Sequence, residues 1–182
     1  MDKAILVSIR PEWCEKIIAG EKRVELRKTK PKIPTPFTVY IYETRGFQRV
    51  GNDNLNCVIG GKGRGAVIGE FTCEDIYKVD VPYPAYQADM AETDAVVLKD
   101  ACLSYTEAHN YLCHRSGYGW KISDLKIYEE PMSLFDFKRW NRTEENTPCA
   151  HTKWLYEPCE TCKECRVKSA PQSWIYVEEL PS

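Results

Sequence analysis

Short strand-like runs outnumber helical patterns along this chain, and this imbalance constrains its fold more than any other feature. Apolar or alternating runs occur at residues 4–9, 22–27, 38–43, 66–81, 120–128 and 173–178. Helical patterns are confined to short segments that begin near Pro11, Ser104 and Ser133. Because a doubly wound parallel sheet needs a helix after nearly every strand, the sequence predicts a mixed β-barrel. We expect roughly five to seven short strands and two or three short helices.

Length and composition indicate one domain. The chain has 182 residues, of which 43% are hydrophobic, enough for a core of ordinary size. No uninterrupted apolar run approaches the roughly 20 residues of a membrane-spanning helix. Nine cysteines without a signal-peptide pattern favour reduced thiols or metal ligation over disulfides. We therefore expect a single cytoplasmic domain over residues 1–182 without a membrane partner, while the oligomeric state stays open.

The charges are unevenly distributed although the formal net charge is only −2. Residues 16–32 carry seven Lys or Arg against two Glu, a net of +5. Residues 70–94 carry seven acidic residues against one Lys, a net of −6. A local basic patch on a nearly neutral chain suits contact with one or a few phosphates rather than wrapping by nucleic acid. A pair of solvated faces is the alternative, and charge counting alone slightly favours it.

The densest chemical signal is the segment at residues 20–27, GEKRVELR. Its alternation predicts a half-buried strand with Glu25 and Arg27 on one face, and Lys22 stands at the start of that strand. An arginine beside a carboxylate can orient it, and a nearby lysine can hold a phosphate or move a proton. An exposed Glu–Arg pair worth about 0–1 kcal/mol is the alternative, which the residues alone favour.

Several segments together resemble the ASCH family. They are ILVSIRP at 5–11, G-x-K-x-x-E-x-R at 20–27, AVIGEF at 66–71, WKISDL at 120–125 with Pro131 and Leu134 after it, and PQSW at 171–174. The resemblance implies a PUA-like β-barrel of the α+β class, with a cleft between the barrel and its helices. Related folds bind RNA or modified bases in that cleft.

One branch of the ASCH family comprises acetylcytidine amidohydrolases, which use a threonine nucleophile, a lysine and a later glutamate. The resemblance aligns Glu25 with the threonine, Lys22 with the lysine and Glu70 with the glutamate. A glutamate cannot form the ester intermediate of a threonine hydroxyl, although Glu25 could activate a water molecule. Lys22, Glu25 and Glu70 are therefore the catalytic candidates for a small nucleoside amidohydrolase or nuclease, and the sequence leaves open whether the chain is an enzyme.

Binding is the leading expectation, with RNA, another single-stranded nucleic acid or a modified nucleotide as the partner. In this interpretation Lys22 and Arg27 meet phosphate, and Glu25 or Glu70 accepts hydrogen bonds from a base edge. Ser8 is a further candidate for the cleft, with simple solvation at a strand end as its alternative.

Aromatic residues provide candidates for stacking on a base, a contact worth about 1–3 kcal/mol. Tyr118 lies between two glycines and is expected to be exposed. Trp120 and Trp174 are the other candidates. Core packing is an even alternative for Trp120 and is favoured for Trp174.

The glycine-rich basic loop covers residues 44–65 and contains GGKGRG at 60–65. It lacks both the G-x-x-x-x-G-K-[ST] pattern of a phosphate-binding loop and the helix that should follow. We therefore predict a flexible hairpin connection, with a lid over the cleft as the alternative.

Residues 142–170 lack periodicity and contain a cluster of cysteines. The spacing and the ligand type predict a structural zinc site formed by Cys149, Cys159, Cys162 and Cys165. His151 is a possible substitute for Cys149 as a ligand. An iron–sulfur motif would need a fourth cysteine where Ser169 stands. Free thiols are the other alternative. A protein-interaction domain that docks through this zinc loop is the third functional hypothesis.

Overall fold

The computed structural model describes residues 2–50, 57–82, 90–113, 115–140 and 166–181. Its helices are α1 (Pro11–Ile18), α2 (Glu92–Asp100) and α3 (Tyr105–Leu112), and a 3₁₀ turn covers Leu134–Asp136. The strands are β1 (Lys3–Ile9), β2 (Val24–Arg27), β3 (Phe37–Glu43), β4 (Phe47–Val50), β5 (Cys57–Gly60), β6 (Ala66–Val79), β7 (Gly117–Met132) and β8 (Trp174–Glu178).

The main sheet is mixed, as predicted. Its six strands have the order β2-β7-β6-β3-β1-β8, in which β1 runs parallel to β3 and every other pair is antiparallel. This topology confirms the α+β class. Strand β6, with 14 residues, lies within the predicted run at 66–81, whereas β7, with 16 residues, is longer than predicted. Register shifts interrupt their pairing, and such irregularities let long strands bend.

The described part of the sheet does not close into a complete barrel through backbone hydrogen bonds. Its edge strands β2 and β8 are instead joined through side chains. Trp174 Nε1 donates to Thr29 Oγ1 over 3.1 Å, and the Lys32 amide donates to the Tyr176 hydroxyl over 2.6 Å. We call this junction of residues 27–32 with residues 173–176 the seam.

Strand β2 has the predicted alternation but is buried on both faces. Val24 and Leu26 pack in a cluster with residues of α2 and α3. Glu25 and Arg27 lie on the other face, which looks into the largest part of the core around Trp120. The charged face is therefore not exposed, because the sheet curls around it.

Local signals explain most helix boundaries. Pro11 begins α1, and Gly20 follows its end with a φ of +73°, a conformation that glycine adopts without strain. Ser104 and Glu107 form the predicted capping box of α3. The helix α2 had no clear sequence signal, and the helix predicted after Ser133 is only a 3₁₀ turn. Within the described ranges, no helix is long and apolar enough to cross a membrane.

The glycine-rich segment contains the antiparallel pair β4 and β5. After this pair, the chain passes close to the end of β3: the Gly63 amide donates to the Arg45 carbonyl oxygen over 3.1 Å. A Cβ atom at Gly63 would collide with the carbonyl oxygen of Thr44, so a glycine is needed at this close approach. Residues 51–56 lie outside the described ranges.

Candidate functional site

Three charged side chains of the segment at residues 20–27 meet inside the protein. Lys22, Glu25 and Arg27 are only 3%, 6% and 6% exposed. Arg27 Nη2 lies 2.9 Å from Glu25 Oε1, and Lys22 Nζ lies 3.4 Å from Glu25 Oε2. Each oxygen of the carboxylate thus faces a cation. We call these three residues the buried network, which carries a formal charge of +1. It is not the exposed pair of the alternative interpretation.

Lys22 is held by the end of a helix. Its Nζ donates to the carbonyl oxygen of Ala101, directly after α2, over 2.8 Å. The carboxyl end of a helix carries a partial negative charge, which favours a cation there. The ammonium group also lies 5.3 Å from the centre of the Trp13 ring. Lys22 is therefore fixed by a carbonyl, a carboxylate and an aromatic face.

Arg27 connects the buried network to β1 and, across the seam, to Ser173. Its Nη2 donates to the Ser8 carbonyl oxygen over 2.6 Å, and its Nη1 donates to Ser173 Oγ over 3.5 Å. Ser8 thus reaches the site, but through its backbone. The Ser8 hydroxyl donates instead to the Pro171 carbonyl oxygen over 2.7 Å, which fixes the chain before β8.

Two buried donors near the network have no acceptor within the described part of the chain. They are Nε of Arg27 and Nε1 of Trp120. Trp120 lies opposite Glu25 in the β2–β7 ladder, so both donors belong to the same face of neighbouring strands. A buried donor without an acceptor costs about 1–3 kcal/mol, and native proteins contain few of them. The two atoms are therefore hydrogen-bonding capacity on this face that the described part of the chain does not use.

The predicted stacking residues have different surroundings. Trp120 is fully buried and packs edge-on against Phe37 and Trp174, with ring centres 6.0 and 5.9 Å apart. This conformation matches the core-packing alternative for Trp120. Tyr118 and Trp174 are half-buried. They leave part of each ring accessible beside the seam, so both remain candidates for stacking on a base.

Glu70 is not part of the buried network. In β6, its neighbour Phe71 points into the core around Trp120, so Glu70 points to the opposite face of the sheet. There its Oε2 accepts a hydrogen bond of 2.5 Å from the Tyr128 hydroxyl, and Lys126 Nζ lies 3.6 Å from Oε1. Burial, followed by the hydrogen bond to Glu70, raises the pKa of Tyr128 above its ordinary value. The predicted grouping of Glu70 with Lys22 and Glu25 does not occur in this structure, because strand alternation separates them.

Glu43 is a buried carboxylate that the sequence reasoning missed. It ends β3, is 6% exposed and lies opposite Ile9. Arg64 from the glycine-rich segment contacts it over 3.1 Å. Burial raises the pKa of the Cys14 thiol, and the charges of Glu43 and Glu25 raise it further, which places both carboxylates near Cys14. The sequence alternation could have identified it, because Glu43 continues the series of Val39 and Ile41, which face the core.

An open depression lies away from the buried network. It is lined in part by Lys3, Pro34, Thr38 and Glu179, at the beginning of β1 and β3. Ser8 and Glu43 stand at the other end of these two strands. The depression is therefore a separate feature from the site described above.

The predicted metal ligands Cys149, His151, Cys159, Cys162 and Cys165 lie outside the described residues. Zinc binding by this segment stays a prediction. Elsewhere, in the part of the chain that the structure describes, no group of three or more His, Cys, Asp or Glu side chains is arranged to hold a metal ion.

The mixed, curled sheet with a buried ionic network on its edge strand β2 defines an α+β protein. More specifically, the chain has the fold of ASCH domains. An ASCH protein from Zymomonas mobilis, in a tyrosine-to-phenylalanine variant, aligns with a TM-score of 0.50 and 21% identity over 73% of this chain and 77% of that chain. The structure of the same protein described simply as ASCH gives a TM-score of 0.49 at 21% identity, over 72% and 73% of the two chains. No protein-family model and no curated protein sequence matches the chain.

Proposed function

We propose that the chain binds a nucleotide unit at the seam, with RNA as the favoured source. The observation that carries this proposal is the pair of buried donors without acceptors, Arg27 Nε and Trp120 Nε1. Phosphate oxygens and base carbonyls are both strong acceptors for such donors. A nucleotide carries both kinds of oxygen, so its chemistry matches both donors.

The electrostatics of the buried network also favour an anionic ligand. Two cations flank one carboxylate, so the formal charge of +1 is uncompensated within the network. A charge in a region of low dielectric attracts a counter-charge more strongly than the same charge in water. A phosphate group would neutralise the excess positive charge of the network.

The three residues have different roles in this proposal. Lys22 and Glu25 are held by neighbouring groups in the protein and act as positioning residues for the guanidinium group. Arg27 contacts the ligand, because it retains a free donor and borders Ser173 at the seam. The half-buried rings of Tyr118 and Trp174 lie where they can stack on the base.

The amidohydrolase alternative receives no support from the geometry. It requires Glu70 beside Lys22 and Glu25, and Glu70 lies on the other face of the sheet. Glu25, the candidate for activating a water molecule, is instead engaged by cations at both oxygens.

The test compares two arginines only four positions apart. In Arg27→Lys, the charge beside Glu25 is kept but the Nε donor is lost. The matched control is Arg23→Lys, because Arg23 is exposed in the same segment. We expect Arg27→Lys to weaken binding of mixed-sequence RNA trinucleotides by about 10–100-fold, the value of a hydrogen bond to a charged donor. Arg23→Lys should bind like the wild type in isothermal titration calorimetry.

Equal affinities of the two variants and the wild type would contradict the proposal, provided that circular dichroism shows both variants folded. The absence of binding to the wild type, with trinucleotides and with nucleoside monophosphates, would contradict it more broadly.

We further propose that the cysteine segment binds one structural zinc ion through Cys149, Cys159, Cys162 and Cys165. Four cysteine thiolates at this sequence spacing match the donor set that zinc prefers. Metal analysis of the purified protein should give about one equivalent of zinc. A content below about 0.2 equivalents of zinc and of iron would contradict this proposal.

A further inference from the structure

The segment that leaves β2 carries an unopposed row of positive charges. Lys28, Lys30 and Lys32 are all exposed, and residues 26–37 contain no Asp or Glu. The segment begins at Arg27 in the buried network and continues along β8 to Tyr176. We call Lys28, Lys30 and Lys32 the lysine rim, because they border the seam on its outer side.

Aromatic rings accompany the lysine rim. Lys28 Nζ lies 5.3 Å from the centre of the Tyr111 ring, and Lys30 Nζ lies 5.7 Å from that of Tyr118. The Lys32 amide binds the hydroxyl of Tyr176, whose ring packs against Trp174. Ammonium groups alternating with tyrosine and tryptophan rings are the combination that single-strand binding proteins use for phosphates and bases.

Among the described residues, the three rim lysines have no acidic partner, in contrast to Lys78, Lys121 and Lys126. Lys78, Lys121 and Lys126 each lie within 4.0 Å of a carboxylate oxygen. Among the residues that the structure describes, no carboxylate lies within that distance of a rim ammonium group. The charge of the rim is therefore available to an external anion, whereas the charge of the other three lysines is already compensated.

The backbone of the rim is restrained before any ligand binds. Pro31, Pro34 and Pro36 limit the conformations of this segment and of the residue before each proline. Thr29 and Lys32 are also tied to β8 by hydrogen bonds. Such restraint lowers the entropy that is lost when a ligand binds.

We infer that the lysine rim binds the phosphates next to the nucleotide in the seam, so that the ligand is a strand of single-stranded RNA rather than a free nucleotide. This inference rests on the proposed function, since it extends the same site outward. The rim follows Arg27 without a break in the chain. A strand that places one nucleotide in the seam must run on past the entrance, where the rim and its rings lie. Duplex RNA does not fit this arrangement, because its bases are stacked within the helix and cannot reach the rings.

The test measures how affinity depends on salt. The rim variant is Lys28→Ala, Lys30→Ala and Lys32→Ala combined. The matched control, Lys99→Ala, Lys121→Ala and Lys126→Ala combined, changes the net charge equally at exposed or half-buried lysines of α2 and β7. Fluorescence anisotropy with a labelled ten-nucleotide single-stranded RNA is recorded from 50 to 200 mM salt. Binding of ribonucleoside monophosphates is measured in parallel by calorimetry.

Each phosphate contact to a single strand contributes about 0.7 to the slope of log affinity against log salt concentration. The loss of three contacts should therefore lower the slope by about 2. Over this salt range, the wild type should lose about 15-fold more affinity than the rim variant. Monophosphate binding should stay unchanged in the rim variant, and the control variant should retain the wild-type slope.

Several outcomes would overturn the inference. These are an unchanged slope in the rim variant, an equal loss in the control variant, or equal affinity of the wild type for duplex and single-stranded RNA. If the wild type binds monophosphates but gains nothing from the longer strand, the rim inference fails while the proposed function stands. If it binds neither ligand, both fail. Single-stranded DNA of the same sequence is measured as a competitor. If it binds as tightly as the RNA, the proposal that RNA is the ligand is contradicted.

Discussion

Glu25 and Glu70 are both strand glutamates in segments that resemble the same family, yet their surroundings differ. The Glu25 side chain is 9% exposed and lies between two cations inside the curled sheet. The Glu70 side chain is 27% exposed and contacts Tyr128 and Lys126 on the opposite face. The motif therefore identifies a functional candidate only when the face of the strand is known as well.

The physical difference between the two regions is desolvation. A charge taken out of water is tolerated only when opposite charges and hydrogen bonds compensate it, so each member of the buried network depends on the others. Around Glu70, water can replace a lost partner, which keeps the coupling weak. The following predictions test this contrast, from the largest expected effect to the smallest.

Removal of the Glu25 carboxylate should lower the stability more than removal of the Glu70 carboxylate. Glu25→Ala leaves two buried cations without their shared partner and should lower the free energy of unfolding by about 3–5 kcal/mol. Glu70→Ala should lower it by about 1 kcal/mol, the value of one hydrogen bond and a weak ion pair. Urea denaturation followed by circular dichroism measures both values. Losses of equal size would remove the distinction between the two regions.

The lysines of the two regions provide a second comparison. Lys22→Met removes a buried cation from Glu25 but leaves Arg27 in place, so we expect a loss of about 2 kcal/mol. Lys126→Met removes an exposed cation from Glu70 and should change stability by less than about 0.5 kcal/mol. Thermal unfolding of the two variants beside the wild type measures this difference. A larger loss of stability for Lys126→Met than for Lys22→Met would contradict the stronger coupling that we assign to the buried network.

Alkaline pH extends the comparison to the thiols of the inner face. Burial raises the pKa of Cys73 to about 12 from an ordinary value of 9.0. The unfolded chain therefore releases this proton first as the pH rises, and the free energy of unfolding falls between about pH 9 and 12. The fall from this group reaches at most about 1.4 kcal/mol per pH unit.

In Cys73→Ala, the free energy of unfolding should fall less steeply at alkaline pH, because the contribution of the Cys73 thiol is missing. Cys113, which is exposed, supplies the control. Midpoints of urea denaturation from pH 8 to 11 measure the effect. The smaller side chain at position 73 should lower the stability by the same amount at every pH, so it does not change the slope. An identical decline in Cys73→Ala and Cys113→Ala would contradict the raised pKa of Cys73.

A small effect is also expected at Tyr128. Tyr128→Phe removes the hydrogen bond to Glu70, which water can replace because Glu70 is partly exposed. We expect a loss of at most about 1 kcal/mol at neutral pH and no change in binding of RNA trinucleotides. Stability is measured by urea denaturation and affinity by calorimetry. A tenfold loss of affinity in this variant would show that the outer face contributes to the site.

Short-range patterns account for the parts of the structure that the sequence could predict. The alternation at β2 placed Glu25 and Arg27 on one face, and the capping box placed the start of α3. The mixed sheet followed from the number of strand-like runs and the scarcity of helices. Each of these signals depends on residues only a few positions apart.

The remaining features depend on contacts between distant residues. The pairing of Glu43 with Arg64 crosses 21 positions, and that of Arg27 with Ser173 crosses 146. The burial of the charged face of β2 depends on how the whole sheet curls, which alternation cannot reveal. The face of Glu70 follows from the apolar neighbour Phe71, which faces the core, whereas the resemblance to a catalytic glutamate carries no information about the face of the strand.

The Trp120 indole provides the most direct test of the central claim. In a ¹⁵N-labelled protein, its Nε1–H resonance can be assigned with Trp120→Phe and followed while RNA trinucleotides are added. Because this donor lacks an acceptor in the described chain, we expect its proton resonance to move downfield as a ligand oxygen accepts its hydrogen bond. The Arg27 Nε–H resonance should move with the same affinity. RNA binding that leaves both resonances unchanged would contradict the account.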